Sequence, residues 1–414
     1  MRIVLIVITS LLVSASAFAN NPLDDAAEKA TSADQLLTLG NLNLEANRDK
    51  EARNFYKAAE LRLKNTVEAK FGLAQIRVQN GDLRQAKQAC RKLEKEFPKS
   101  PVAKLCFGRM WLKFERSARA IENFEAVKDS GDIRAILGLA KTYDYMNEYE
   151  KSIALYREAI EKGADYEADL GLGLILERKG DSTGALEAVQ NAVKKENNSA
   201  LAQFHLGRLM KTGKQAAEHI NIALQIRPDW ADAYGTLGSI YLESDLEQAV
   251  EAYKKAIELE PDRDAFHLGL GTAYFRQKKY DDARAELDKA LSLVPNHIGA
   301  TQMLAELELA TGNNSRAVTL AEKAVQLSPN DPIICYNTAY LFFQMKRYTQ
   351  ANAYFLRTIA MDPKSSASFA HMGDIACERR MYKDGIKHYQ DALKGDLKGM
   401  KKSDVEKRIK QCKP

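Results

Sequence analysis

Small, large and helix-ending residues recur in a fixed order along the chain. The clearest copy carries Leu237, Gly238, Tyr241, Ala249, Tyr253, Ala256 and Pro261. The following copies end at Pro295, Pro329 and Pro363, a constant spacing of 34 residues. Apolar residues three and four apart within each copy predict two amphipathic helices. The proline predicts the end of the second helix, because it lacks an N–H and clashes with the preceding turn.

The same order continues towards the N-terminus, so that about eleven copies lie between about Ala33 and Gly399. They are numbered in chain order as repeats 1 to 11. No copy can bury its apolar face alone, and neighbouring copies must therefore stack and share one core. We expect an all-α fold, an α-α superhelical solenoid of about eleven helix pairs over residues 33–399. Val405 and Ile409 stand at helical spacing among charges, and they predict a capping helix over residues 400–414.

These residues resemble the tetratricopeptide-repeat (TPR) family, whose pattern is W-x2-L-G-x2-Y, then A-x3-F, A and P. The match is specific because several positions recur together, and it covers nearly the whole mature chain. The resemblance implies a non-catalytic, protein-binding solenoid, here an exported bacterial member. The chain departs from the family pattern in two places. Repeat 6 is shortened between Gly207 and Ala216, and repeat 7 is one residue short. A soft break is expected near residues 197–200, and residues 20–32 are read as a polar lead-in.

The N-terminus has the three parts of a secretory signal. Met1 and Arg2 form a basic start, residues 3–13 are apolar, and the small residues Ala17 and Ala19 predict cleavage after Ala19. The apolar run is short for a membrane span, which needs about 20 residues. We expect a signal peptide over residues 1–19 and a periplasmic or secreted bacterial protein without a stable membrane span. An uncleaved anchor is the alternative.

Composition and motifs argue against catalysis. The chain is 45% hydrophobic and 28% charged, which fits a folded soluble protein, and a net charge of +5 is too small for general nucleic-acid binding. The six His form no zinc-binding spacing, and Gly171 and Gly173 lie within a helical repeat, unlike the glycines of a nucleotide loop. A metal site of His371, Cys377 and His388 is the less favoured alternative to packed side chains. We expect no cofactor, no metal and no enzymatic activity.

Five cysteines in an exported chain suggest disulfides. Cys90 lies eight residues before Pro98 and Cys106 eight residues after it, so an antiparallel helix pair would bring them to one level. Cys377 and Cys412 fall at similar depths in the last repeat and the capping helix, and Cys335 is left over. The alternative is that all five are small buried apolar residues.

A basic stretch is implied by the family's geometry, in which the first helix of each repeat lines the concave face. The groove-facing places are roughly the second, fifth, ninth, twelfth and thirteenth. In repeats 3 to 6 these places carry Arg109, Lys113, Lys141, Arg178, Arg208 and Lys211, diluted by Asp144 and Glu177. Such a groove would favour acidic peptide segments or an anionic polymer. A solvated charged face is the alternative.

An aromatic row is predicted in repeat 10, where Tyr336, Tyr340 and Phe343 share one helix face. Phe342 lies on the opposite, core side, and Phe275 of repeat 8 lies on the groove side. Aromatic residues are frequent anchors of binding sites. The alternative is that these rings serve contacts between adjacent helices.

Two functions therefore compete. The first is a scaffold of the bacterial cell envelope that binds partner proteins during assembly of an envelope, pilus or secretion complex. The second is a component of polysaccharide export or assembly whose groove binds an anionic polymer. Fold alone does not decide between them, because function depends on the groove surface.

Overall fold

The structure is a computed structural model that describes residues 21–30, 32–62, 67–210, 213–397 and 400–413. Within these ranges the regular elements are helices, and a single isolated bridge joins Ser365 to Asp396. This confirms the predicted all-α solenoid. The predicted signal peptide, residues 1–19, and Lys211 lie outside the described residues.

In the described residues a short helix comes first and a final helix comes last, and the helices between them follow the repeat pattern two at a time, as repeats 1 to 11. The helices are α1 (Pro22–Lys29), α2 (Ala33–Glu45), α3 (Asp49–Arg62), α4 (Val67–Asn80), α5 (Leu83–Glu96), α6 (Val102–Lys113), α7 (Ser117–Lys128), α8 (Ile133–Tyr145), α9 (Tyr149–Glu161), α10 (Tyr166–Arg178), α11 (Ser182–Lys195), α12 (Ala200–Met210), α13 (Lys214–Ile226), α14 (Ala231–Tyr241), α15 (Leu246–Leu259), α16 (Asp264–Arg276), α17 (Tyr280–Leu293), α18 (Ile298–Ala310), α19 (Asn314–Leu327), α20 (Pro332–Gln344), α21 (Tyr348–Met361), α22 (Ser366–Glu378), α23 (Tyr382–Lys394) and α24 (Lys402–Gln411).

The turn between the two helices of a repeat is formed by a residue in the left-handed conformation and, in repeat 5, by an N-cap. In repeats 4 and 5 the first helix is followed by a left-handed residue, Asn147 with φ 61° and Gly180 with φ 85°. Gly and Asn tolerate that conformation better than most residues. The second helix of repeat 5 then begins at an N-cap, where the Asp181 carboxylate accepts a hydrogen bond from the Gly184 N–H.

Neighbouring repeats are held together by a large side chain set against glycine. The Tyr56 ring of repeat 1 lies between Gly40 of its own repeat and Gly72 of the next. A Cβ atom on either glycine would come within 2.5 or 2.3 Å of that ring. Phe124 lies in the same way between Gly108 and Gly138. The pattern of small and large residues is therefore a packing rule, because only glycine lets the helices approach the ring this closely.

At other junctions, different residues occupy the position of the aromatic ring and the position of the glycine in the next repeat. Between repeats 2 and 3 the places belong to Cys90 and Cys106, which form a disulfide with a Cα–Cα distance of 5.4 Å. Between repeats 10 and 11 the Phe355 ring stacks on His371, with ring centroids 5.7 Å apart.

A second disulfide attaches the final helix to the array. Cys377 of repeat 11 is bonded to Cys412, with a Cα–Cα distance of 5.5 Å. Val405 on α24 is fully buried against repeat 11. Cys335 is a buried free thiol.

The chain divides into two compact units, residues 1–244 and 245–414. They are called the N-terminal unit and the C-terminal unit below. The division falls between the two helices of repeat 7, the repeat that is one residue short. Helices α11 and α12, which flank the predicted soft break near residues 197–200, pack against each other within the N-terminal unit. That soft break stays a prediction.

Within each unit, the first helices form the side of the array on which consecutive repeats approach each other most closely. Successive first helices contact one another directly, as α4 contacts α6 in the N-terminal unit and α18 contacts α20 in the C-terminal unit. Within each unit, a second helix packs mainly between the first helix of its own repeat and the helix that follows it in the chain. The face formed by the first helices is called the inner surface.

Candidate partner-binding surfaces

Repeat 1 reaches across the N-terminal unit to repeats 5 and 6. Glu45, the last residue of α2, accepts hydrogen bonds from the Tyr166 hydroxyl at 2.6 Å, the Ser199 hydroxyl at 2.6 Å and the Leu201 N–H at 3.1 Å. All three donors are more than a hundred residues away in sequence. We call this interaction, with that of α1 described next, the repeat 1–6 contact.

Helix α1 adds a second part to this contact. The Asn21 side-chain amide donates to the Gln225 carbonyl at 2.8 Å and the Ile226 carbonyl at 3.2 Å, at the C-terminal end of α13. The last carbonyls of a helix have no partner within the helix, so these bonds satisfy them. Leu23 is fully buried beside them. The residues read from sequence as a polar lead-in therefore include a helix that packs on repeat 6.

Burial dominates the electrostatics of Glu45. It raises the pKa of the Glu45 carboxyl above its ordinary value, although hydrogen bonds from Ser199, Tyr166 and Leu201 act to lower it. Among the described residues, no cation lies within salt-bridge distance of this carboxylate. The repeat 1–6 contact therefore depends on a desolvated acid held by neutral donors.

Three of the five described cations of the predicted basic stretch are paired with carboxylates of adjacent repeats. Lys141 contacts Glu167 at 2.9 Å. Arg208 donates to Glu177 at 2.8 Å. Arg178 likewise pairs with Asp144. The stretch is thus more nearly neutral than its sequence suggests.

Glu167 is the main internal anion of this surface. The charge of Lys141 holds the pKa of Glu167 at about 2, and Arg109 acts in the same direction, while burial opposes both. The side chains of three repeats, 3, 4 and 5, therefore share one electrostatic cluster. Glu167 and Glu45 could not be picked out from the sequence, because no local pattern distinguishes them from other surface glutamates.

Arg109 and Lys113 differ from the other cations. Among the described residues, neither has a carboxylate within salt-bridge distance. The Arg109 guanidinium lies 5.3 Å from the centre of the Phe71 ring, and it donates to Gln75 at 3.4 Å. The Lys113 ammonium donates to the Gln79 backbone carbonyl. These two cations remain available for an external anion.

The aromatic residues of repeat 10 surround a histidine of repeat 11. The ring centroids of Tyr336, Tyr340 and Phe343 lie 6.1, 5.1 and 5.0 Å from that of His371. Tyr340 is 38% exposed, whereas Tyr336 and Phe343 are half-buried. Tyr340 is therefore the accessible ring of the three, Tyr336 and Phe343 contribute mainly to contacts between helices, and a binding role for the row stays a prediction. Phe275 is also half-buried, and it packs on Tyr280 of its own repeat.

Asp374 fixes the histidine in this cluster. It lies 3.2 Å from the His371 Nδ1, and it accepts hydrogen bonds from Tyr389 at 2.7 Å and from Arg408 of α24 at 2.8 Å. Burial acts to raise the pKa of Asp374, but these partners outweigh it and hold the pKa below its ordinary value. The final helix therefore supports the inner surface of repeats 10 and 11.

The described part of the chain lacks a metal-binding cluster and a membrane-spanning helix. There, no three His, Cys, Asp or Glu side chains are grouped so that they could hold a metal ion. The described helices also include none that is long and apolar enough to cross a membrane.

Comparison with known families is decisive for the fold. Tetratricopeptide-repeat models match residues 68–100, 137–200, 241–307, 275–322 and 303–366. The chain belongs to the tetratricopeptide-repeat family. TPR proteins are typically non-catalytic scaffolds for protein interaction, so the inner surfaces described above are the natural places to look for a partner.

The chain is similar to several TPR proteins along part of its length. It is 23% identical over 310 residues to the TPR repeat-containing protein MJ1428 of Methanocaldococcus jannaschii, covering 69% of this chain and 54% of that protein. It is 27% identical over 164 residues to the type IV pilus assembly protein PilF of Pseudomonas aeruginosa, covering 39% of this chain and 65% of that one. A match to the human protein O-mannosyl-transferase TMTC1, at 26% identity, covers 50% of this chain and 25% of that protein. The chain thus spans between a quarter and about two thirds of these relatives.

A solved structure has the same fold. The yeast protein Tom70 superimposes with a TM-score of 0.50 at 15% identity, covering 92% of this chain and 95% of Tom70.

Proposed function

We propose that the protein is a non-catalytic scaffold of the bacterial cell envelope that binds segments of partner proteins on its inner surfaces, during assembly of an envelope, pilus or secretion complex. The observation that carries the proposal is a set of inner-surface groups whose positive charge has no carboxylate partner in the described part of the chain, or whose ring is exposed. Arg109 and Lys113 have no carboxylate partner among the described residues, and Tyr340 is exposed. Exposed aromatic and arginine side chains are frequent anchors of protein interfaces.

The envelope location rests on different observations. Residues 1–19 have the sequence of a secretory signal, with cleavage expected after Ala19. The cysteine pairs Cys90–Cys106 and Cys377–Cys412 suit an oxidising compartment, since cytosolic proteins rarely keep structural disulfides. The similarity to a type IV pilus assembly protein supports a role in pilus assembly.

The alternative is a TPR component of polysaccharide export or assembly. It is favoured by the same cations, because Arg109 and Lys113 could pair with carboxylates of an anionic polymer. The family's role in protein interaction makes a protein segment the better supported partner.

The test is a crosslinking purification from the native bacterial envelope. We expect wild type to recover a partner protein, and Arg109→Glu with Lys113→Glu to lose it, because the double change reverses the charge of the inner surface. Lys92→Glu with Lys214→Glu is the matched control, since both lysines are highly exposed on second helices. Equal recovery by both charge reversals would refute binding at this surface, and recovery of a glycan instead of a protein would support the alternative.

A further inference from the structure

The repeat 1–6 contact spans an unusual separation for a solenoid, in which each repeat normally contacts only its neighbours. Glu45 bonds to groups 121 to 156 residues away, and Asn21 bonds to groups 204 and 205 residues away. Stacking of neighbouring repeats does not require these bonds. A contact that core packing does not impose can open without unfolding the repeats.

This contact is joined to the charged part of the inner surface through two adjacent residues. Tyr166 donates to Glu45, and the next residue, Glu167, pairs with Lys141 and acts on Arg109. Glu167 occupies the position that a carboxylate of an acidic partner would take against these cations. The N-terminal unit therefore carries its own competing anion beside the contact that closes it.

We propose that the repeat 1–6 contact is an autoinhibitory closure, which keeps Glu167 paired with Lys141 and within the field of Arg109 until an acidic peptide segment displaces it from the opened unit. This inference rests on the proposed function, because it names the partner class for the same inner surface. A ligand that binds only the open form shifts the population towards that form. Closure therefore lowers the apparent affinity for acidic segments, and opening restores it.

The spacing of the cations suits a peptide. Arg109 and Lys141 take the ninth place on first helices of successive repeats, and packed helices lie about 8–10 Å apart. Side chains on one face of an extended chain recur about every 7 Å, so carboxylates at alternate positions can reach both cations. Lys113, one turn along from Arg109, adds a third contact for the same segment.

The test uses the full mature chain and a fluorescein-labelled oligoglutamate peptide as the probe. Glu45→Ala removes the acceptor of all three hydrogen bonds. We expect faster hydrogen exchange in α2 and α12, and a gain in peptide affinity of about tenfold, within the usual range of allosteric coupling. Adding Lys141→Ala should remove most of that gain. Glu94→Ala, an exposed glutamate of repeat 2, is the control for the change in net charge.

A second variant keeps the inference testable if Glu45→Ala misfolds. Glu167→Gln removes the internal anion and leaves the Tyr166–Glu45 bond, so it should raise peptide affinity without faster exchange in α2. Unchanged affinity in both variants, or the same gain with Glu94→Ala, would overturn autoinhibition. An equal gain for dextran sulfate would overturn the assignment to acidic peptides. None of these outcomes depends on the envelope partner, whose loss from the Arg109 and Lys113 variant is a separate test of the proposed function.

Discussion

At the scale of single residues, the packing of neighbouring repeats depends on the space that a glycine of one repeat leaves for an aromatic ring of the repeat before it. Phe124 touches the place where a Cβ of Gly138 would stand, at 2.3 Å. The ring is fully buried, so it has little freedom to move away. Glycine at this position allows the close packing, although it is a poorer helix former than alanine.

We predict that Gly138→Ala destabilises the protein. Overpacking a core costs about 1–3 kcal/mol, and the better helix propensity of Ala returns at most about 1 kcal/mol. Chemical unfolding of the variant and wild type measures the difference. Gly299→Ala is the control, because its Cβ would meet its nearest atoms at 3.3 Å. Combining Gly138→Ala with Phe124→Leu should cost less than the sum of the two changes, and strict additivity would argue against the steric explanation.

The aromatic residues of repeat 10 give a second prediction. Phe342→Ala should cost about 3–5 kcal/mol, because Phe342 is fully buried. Tyr340→Ala should lower the free energy of unfolding far less, since the Tyr340 ring is 38% exposed. As a binding anchor, Tyr340 should contribute about 2 kcal/mol to the free energy of partner binding, which the variant loses. Replacing Tyr336, Tyr340 and Phe343 together should lower the thermal stability clearly, because the three rings pack around His371. Thermal melting beside affinity measurement separates these cases, and a Tyr340→Ala protein that melts as low as Phe342→Ala would show that Tyr340 is a packing residue.

At the scale of helices, a disulfide replaces the aromatic–glycine contact between repeats 2 and 3. Cys90 and Cys106 are 16 residues apart, and closing a loop of this length stabilises a protein by about 3 kcal/mol in the chain-entropy model. We predict that Cys90→Ala with Cys106→Ala lowers the free energy of unfolding by about this amount. Cys335→Ala, at a buried free thiol, is the control for the small cavity. If reductant leaves the unfolding midpoint of wild type unchanged, the bridge contributes nothing.

The sequence predicted the helix pairs well because their pattern is local and periodic. It also placed Cys90 beside Cys106, since both lie at a fixed distance from the turn at Pro98. It did not predict the contact of Glu45 with Tyr166 and Ser199, because no periodic rule relates residues in repeats 1, 5 and 6. It assigned the correct helix face to Tyr336 and Phe343, but a face alone does not reveal that His371 of the next repeat covers it.

At the scale of the whole molecule, the N-terminal unit should respond to pH through Glu45. Burial raises the pKa of its carboxyl above the ordinary value of 4.5, so the closed form keeps its proton to higher pH than an open form would. The closed form is therefore favoured most in mild acid and is progressively weakened as pH rises above about 4.5. Glu167 does not contribute to this change between pH 5 and 7, because its pKa of about 2 and its ordinary value both lie below that range.

We predict faster hydrogen exchange in α2 at pH 7 than at pH 5, after correction for the intrinsic rate. Glu45→Gln should lose most of this difference, because it carries no titrating proton. Tyr166→Phe is a useful companion variant, since it removes one donor to the carboxylate and keeps the ring. If wild type and Glu45→Gln show the same pH dependence, another group controls the contact.

The proposed binding of a partner protein to the inner surface is measured most directly by photocrosslinking from chosen positions, in the organism that makes the protein. A photoreactive amino acid is placed at Tyr340 or Lys113 on first helices, and at Leu61 or Leu356, which are 73% and 55% exposed on second helices. We expect the same partner protein to be recovered from the inner positions and not from the outer ones. Recovery from the outer positions alone, or from neither set, would contradict it.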